Sequence, residues 1–266
     1  MVGGRLAFGG GRGYLWPMLN TIRHGGPTDR PPLLIAHGLF GSARNWGVIA
    51  KRLSDTREVV AVDMRNHAGS DWADSHSYAD LAEDLAEVIG DRPHDVLGHS
   101  MGGKAAMVLA LTRPDILHRL IVADIAPVTY AHTQSHLIDA LRAVDLSRVT
   151  RRSDAAEQLG AVPDDGTRSF LLQSLDVGAG RWTLNLDALQ AGMPGIIGFP
   201  DLGGAFHGPA FFLSGGNSDY VRPEHRDRIK ALFPTARFAK IPGANHWLHA
   251  EKPREFEAAV RAFLDA

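Results

Sequence analysis

The sequence predicts an α/β fold built on a mainly parallel sheet. Two observations carry this. From Pro31 onward short apolar runs alternate with helical stretches, and one of those runs passes into a helix through a tight glycine-rich turn at residues 96–111. Strand and helix in alternation put helices over both faces of a sheet, and strands covered on both faces read as unbroken apolar runs.

The elements follow in order. "MLNTIRHG", opening at Met18, reads as the first strand. "PLLIAHG", "EVVAVDM", "HDVLGHS", "HRLIVADIAP", "AFFLSGG" and "RFAKIPG" supply six more, each rich in Val, Ile, Leu or Phe. "SYADLAEDLAEVIG" has apolar positions at helical spacing and an acidic polar face. Between about Val128 and Ala205 the alternation stops: "SHLIDALRAV", "SDAAEQLGAV" and "TRSFLLQSL" read as short helices with no strand among them. The chain closes on "KPREFEAAVRAFLDA", an amphipathic helix with Pro253 in its first turn. The expected organisation is a flexible extension over 1–17, a core over 18–127 and 206–266, and a helical cap over 128–205. The "GGGRG" of the extension lacks the strand before it and the helix behind it that a phosphate loop needs, and is read as flexible chain.

Composition narrows the function. The 266 residues carry a formal net charge of −2, with 44% hydrophobic and 22% charged residues, which argues against a dedicated nucleic-acid or membrane-surface binder. There is no cysteine, which removes disulfides, thiolate metal sites and a cysteine nucleophile together. No apolar run approaches the ~20 residues of a membrane span, the N-terminus has no apolar signal region, and no cluster has metal-ligand spacing. A cytoplasmic protein needing no cofactor and no metal is expected. The sequence assigns no oligomeric state.

The chemistry sits in the tight turn. Gly98, Ser100 and Gly102 form G-x-S-x-G with a strand before and a helix after. A serine held there projects its hydroxyl from the end of the sheet, and the chain bends that sharply only where side chains are absent at the flanks. The helix behind it aims N–H groups and a positive dipole end at the same spot. A serine alone is a poor nucleophile, so a base and a third orienting group are required. His246 in "IPGANHWLHAEKP" lies after the last strand, where the Ser…Asp…His chain order puts the base. Its rival His249 reads as a packing or capping residue, and His37 and His99 as residues that pack or bond backbone. Two acids compete: Asp124 ends a buried apolar run, where a carboxylate is costly unless partnered, whereas Asp219 lies in a polar turn that needs only water. Asp124 is the favoured acid and Asp219 the alternative. The N–H groups of Leu39, after Gly38, and of Met101, after the serine, are the candidate oxyanion donors.

From Met18 to Ala266 the blocks "HGLFGS", "DMRNH", "GHSMGGKAAM", "VADIAPV", "GGNS" and "HWLHAEKP" resemble the α/β-hydrolase superfamily, and within it the YbfF-type branch of small bacterial esterases and thioesterases. The resemblance implies an eight-stranded, mostly parallel sheet with a helical cap, and cofactor-free hydrolysis of esters or acyl thioesters. It also implies Asp124 as the acid, with Ser218 as an auxiliary serine; many other α/β-hydrolases place the acid one strand later, which keeps Asp219 open. The chain departs from the branch at Ala68, where a glycine usually follows Asn-His.

Phe40, Trp182 and Trp247 are candidate contacts to a small-molecule ester or thioester substrate, each with core packing as its alternative. Lys104 could meet an anionic substrate, but a solvated helix face is the preferred reading. A serine hydrolase acting through an acyl-enzyme on Ser100 is expected. The alternatives are another reaction on the same triad, such as carbon–carbon bond hydrolysis or perhydrolysis, and a receptor-like small-molecule binder.

Overall fold

The computed structural model describes residues 18–266, so the extension expected over 1–17 lies outside the described residues. In chain order the elements are β1 (Thr21–His24), β2 (Leu33–Ala36), α1 (Gly47–Leu53), β3 (Val59–Val62), α2 (Tyr78–Ile89), β4 (His94–His99), α3 (Met101–Thr112) and β5 (Leu117–Ala123). There follow α4 (Ser135–Arg142), α5 (Arg152–Gln158), α6 (Asp165–Leu171), β6 (Leu175–Asp176), β7 (Arg181–Trp182) and α7 (Leu186–Ile197). Then come β8 (Ala210–Gly215), α8 (Arg226–Leu232), β9 (Arg237–Ile241), α9 (Leu248–Glu251) and α10 (Pro253–Leu264).

The main sheet has the order β1-β3-β2-β4-β5-β8-β9. Only the β1–β3 pair is antiparallel. These are the seven strands read from the residues; the eight implied by the resemblance exceed by one the sheet of the described residues. Because successive side chains point to opposite faces, Leu34, Val60, Val96 and Val122 enter one apolar cluster with α2 and α3. Leu33, Ile35, Val59 and Leu97 enter the other with α1 and α10.

Helix α2 starts where Ser77 and Asp80 cap each other's backbone, and its apolar stripe, Leu81, Leu85 and Ile89, packs inward. Helix α3 is buried along nearly its whole length, Met101 through Ala110, which matches its lack of a polar face. Pro253 stands at the start of α10 as expected.

The segment between β5 and β8 differs from its sequence reading in two respects. Its residues pair once as strands, in the β6–β7 hairpin, where helices alone were expected. It also carries α7, which Asn185 caps by accepting from the Ala188 N–H. Two-residue strands leave no periodicity to read, and the Gly192–Gly195 stretch with Pro194 weakens the helical signal of α7. Asn185 donates its side-chain amide to Asn66 and its backbone N–H to the Asn66 carbonyl, so the segment docks directly on the loop after β3. Among the described residues no helix is long and apolar enough to cross a membrane.

Candidate active site

Parallel strands all end on the same edge of the sheet, so the loops leaving β2, β4, β5, β8 and β9 converge there. Those loops bring Leu39, Ser100, Asp124, Ser218 and His246 to one place.

Ser100 joins β4 to α3 with φ +52° and ψ −120°, a sparsely populated backbone conformation that costs a non-glycine residue ~1–3 kcal/mol. Its own N–H, donating to the Ala123 carbonyl at 3.0 Å, helps hold the turn. The flanking glycines are required by contact. A Cβ on Gly98 would lie 2.2 Å from the Gly102 carbonyl oxygen, and one on Gly102 would lie 2.4 Å from that of Ala36. The turn closes only if both are absent.

His246 Nε2 stands 3.0 Å from Ser100 Oγ, and His246 Nδ1 stands 2.7 Å from Asp124 Oδ2. Asp124 is fully buried, with φ +53°. Its carboxylate accepts from the Gly215 N–H at 3.0 Å, from Ser218 Oγ–H at 2.5 Å and from His246. Three donors therefore offset the desolvation of this charge. Asp219, the alternative acid, points outward: its side chain is 74% exposed and paired with Arg222 at 2.8 Å, which holds the carboxyl below its ordinary range.

Aromatic neighbours hold the His246 ring. Tyr220 stacks on His246 with ring centroids 4.0 Å apart. The Tyr130 hydroxyl in turn donates to the Tyr220 carbonyl while accepting from the Ala126 N–H. His99 Nε2–H donates to the His246 carbonyl at 2.9 Å, tying the His246 loop to the Ser100 turn. His249 stacks on Trp46 at 4.1 Å, and burial pushes it down to about 3. Sequence reading passed over Tyr130 and Tyr220, whose roles arise only when loops distant in sequence meet.

Among the described residues, no hydrogen bond engages the N–H of Leu39 or of Met101. Both line the pocket that opens over Ser100. Its apolar wall includes Phe40, Ile125, Leu137, Phe170 and Trp247, so two of the three expected substrate contacts lie on it.

Trp182 does not. Its indole is buried and donates Nε1–H to the Leu141 carbonyl at 2.9 Å, which makes it a core residue of the segment between β5 and β8. Lys104 also departs from its expected solvated face. It is buried, and its ammonium donates to the carbonyls of Ile197 at 2.9 Å and Gly198 at 2.5 Å, where the negative end of α7 receives it. Burial pushes its ammonium down to about 7. The signal was present in the sequence: a helix whose other residues are Gly, Ala, Met, Val, Leu and Thr has no wet side on which to place a lysine.

A serine on a strand-to-helix turn, a histidine and a buried carboxylate in mutual contact, and a pocket roofed by apolar side chains define a hydrolase of the α/β-hydrolase type. The profile of the alpha/beta hydrolase family matches residues 33–259, and the chain belongs to that family. The chain is 41% identical over 254 residues to the sn-1-specific diacylglycerol lipase ABHD11 of Mus musculus, covering 90% of this chain and 82% of that one. It is 39% identical over 243 residues to Esterase YbfF of Escherichia coli K12, covering 89% and 94%. A solved marine microorganism esterase superposes with a TM-score of 0.87 at 38% identity, over 92% of this chain and 99% of the other. The protein is a carboxylesterase-type hydrolase.

Proposed function

We propose that the protein hydrolyses carboxylic esters or acyl thioesters of apolar acids through a covalent acyl-enzyme on Ser100. The single observation that carries this is the unbroken relay Ser100 Oγ, His246 and Asp124, with contacts of 3.0 and 2.7 Å. His246 Nε2 takes the Ser100 proton as Oγ attacks the acyl carbon. Asp124 holds Nδ1–H of the ring and balances the imidazolium. The Leu39 and Met101 N–H groups receive the charge that gathers on the carbonyl oxygen. His246 then gives its proton to the departing alkoxide or thiolate. It next takes one from water, whose oxygen attacks the acyl carbon, and returns that proton to Ser100 Oγ as the acid is released.

Residues 128–205 act in this reading as a cap over the acyl group, which Phe40, Leu137, Phe170 and Trp247 would surround. The similarity to an esterase and to a diacylglycerol lipase supports ester cleavage in this reading. The test is hydrolysis of p-nitrophenyl esters of graded acyl length beside a matching acyl-coenzyme A series, with Ser100→Ala as control. Turnover in one series, lost in the variant, is expected. Turnover that survives Ser100→Ala overturns the reading.

A further inference from the structure

The loop after β2 carries the proposed oxyanion donor Leu39, and it is bridged to the loop after β3 by two buried histidines, one at each end. The first bridge is His37. Its Nε2 accepts from the Met64 N–H at 2.9 Å, so its proton lies on Nδ1, which donates to the Gly38 carbonyl at 2.7 Å. The second bridge is His67. Its Nδ1–H donates to the Arg65 carbonyl at 2.9 Å, so Nε2 is left as acceptor and receives the Phe40 N–H at 3.2 Å.

These bonds fall on the two peptide planes that flank Leu39. A trans peptide is rigid, with its carbonyl and its N–H pointing in opposite directions. The Gly38 carbonyl is gripped from one side by His37 and by the Gly41 N–H at 3.0 Å, so the Leu39 N–H of the same plane must point to the other side. Gly38 itself lies against the nucleophile: a Cβ there would come within 3.1 Å of the Ser100 Cβ. The next plane, from the Leu39 carbonyl to the Phe40 N–H, is gripped by His67, and Phe40 is held at φ +63°, which a bulky residue adopts only when its surroundings enforce it.

Each bridge needs a donor and an acceptor at opposite corners of one rigid ring, which neutral imidazole supplies. Both rings are buried, meet edge-on with centroids 5.0 Å apart, and are kept neutral by burial, which pushes His37 down to about 4 and His67 to about 3.

We propose that His37 and His67 are positioning residues for ester cleavage. They hold the two peptide planes around Leu39 so that its N–H meets the oxyanion. The assignment rests on Ser100 being the nucleophile.

Side-chain amides separate this from a merely structural role, because they keep one half of each bridge. Asn at 37 retains a donor at the δ position for the Gly38 carbonyl, whereas Gln retains only the acceptor for Met64. At 67 the requirement is reversed, since Gln retains the acceptor for Phe40 and Asn only the donor to Arg65. The expected order in kcat is therefore His37→Asn above His37→Gln, and His67→Gln above His67→Asn. The weaker member of each pair falls on the order of 10- to 100-fold below wild type with KM within about 3-fold. A trifluoromethyl ketone, whose tetrahedral oxygen occupies the hole, should lose affinity in proportion to kcat, while a carboxylic acid product should not.

The reverse order at either position, kcat tracking thermal stability alone, or equal loss of ketone and product affinity overturns the proposal. Ester turnover that is present in the wild type and absent in Ser100→Ala is the control. With it in place, a failed order sinks the histidine assignment alone; without it, the nucleophile reading fails first and the histidine roles fall with it.

Discussion

At the scale of single residues, five non-glycine positions among the described residues stand at positive φ: Phe40, Asn66, Ala68, Ser100 and Asp124. They lie on loops at the edge of the sheet where the site is built, and Ser100 and Asp124 are members of the relay itself. Strain gathered at a site in this way is sustained by bonds around it, and Asp124 shows how: four contacts, including its own N–H to the Leu213 carbonyl, over-determine it. Asp124→Asn should lower kcat on the order of 10³- to 10⁴-fold, because the base loses its orienting partner. Asp219→Asn should leave kcat nearly unchanged, since that carboxylate faces solvent and Arg222. Comparing the two variants on one p-nitrophenyl ester decides between the acids. Ala68, at φ +48°, takes a conformation that a glycine enters without cost. Ala68→Gly should raise stability by roughly 0.5–1 kcal/mol, read as a higher melting temperature; a lowered one would show that the loop needs the methyl group. Ser100 and His246 were legible from motif and chain order. That Asp124, unlike Asp219, must find partners was legible from burial cost, because a carboxylate ending an apolar run needs donors. The partners it finds, Gly215 and Ser218, come from another strand and leave no local trace.

At the scale of elements, the strands were legible because they are buried on both faces and so carry unbroken apolar runs, and α2 because it has one wet face. The stretch between β5 and β8 was harder. Its β6–β7 hairpin is too short for any period, and Trp182 reads equally as pocket wall or packing residue until the Leu141 carbonyl is seen to hold its indole. Lys104 was misread because one charge in a helix suggests solvent, whereas here the end of α7 supplies the carbonyls. Another buried charge ties α2 to the loop after β3: Arg65 forks onto Asp84, with Nε 2.5 Å from Oδ2 and Nη2 2.8 Å from Oδ1, and both side chains are almost wholly buried. Neutralising Asp84 takes from the buried Arg65 its nearest counter-charge, its other carboxylate neighbour, Asp80, lying farther off at 3.7 Å. Asp84→Asn should therefore cost about 3–5 kcal/mol in urea unfolding, and a loss below about 1 kcal/mol would show that the pair does not hold α2 in place.

At the scale of the whole molecule, buried histidines couple stability to pH. His37, His67 and His249 are neutral in the folded protein, pushed by burial from 6.5 to about 4, 3 and 3. In the unfolded chain they take protons below pH ~6.5, so from there down to the folded values the unfolded state binds more protons and stability falls with falling pH. Each contributes a loss of up to about 2 kcal/mol by pH 5. Urea unfolding at pH 7.5, 6 and 5 should show this decline; a flat profile would mean that the imidazoles already find protons in the folded state. The two-faced sheet and the order of its motifs make the α/β-hydrolase architecture readable from sequence, while the pocket forms only where distant loops meet. The claim on which the rest depends is covalent acyl transfer to Ser100. Intact-protein mass measurement after rapid acid quench of p-nitrophenyl ester turnover, followed by peptide mapping, tests it directly. The expected result is a gain of one acyl group on the peptide carrying Ser100, absent in Ser100→Ala together with turnover. Turnover that persists in Ser100→Ala, or an acyl group mapped to another residue, would contradict it.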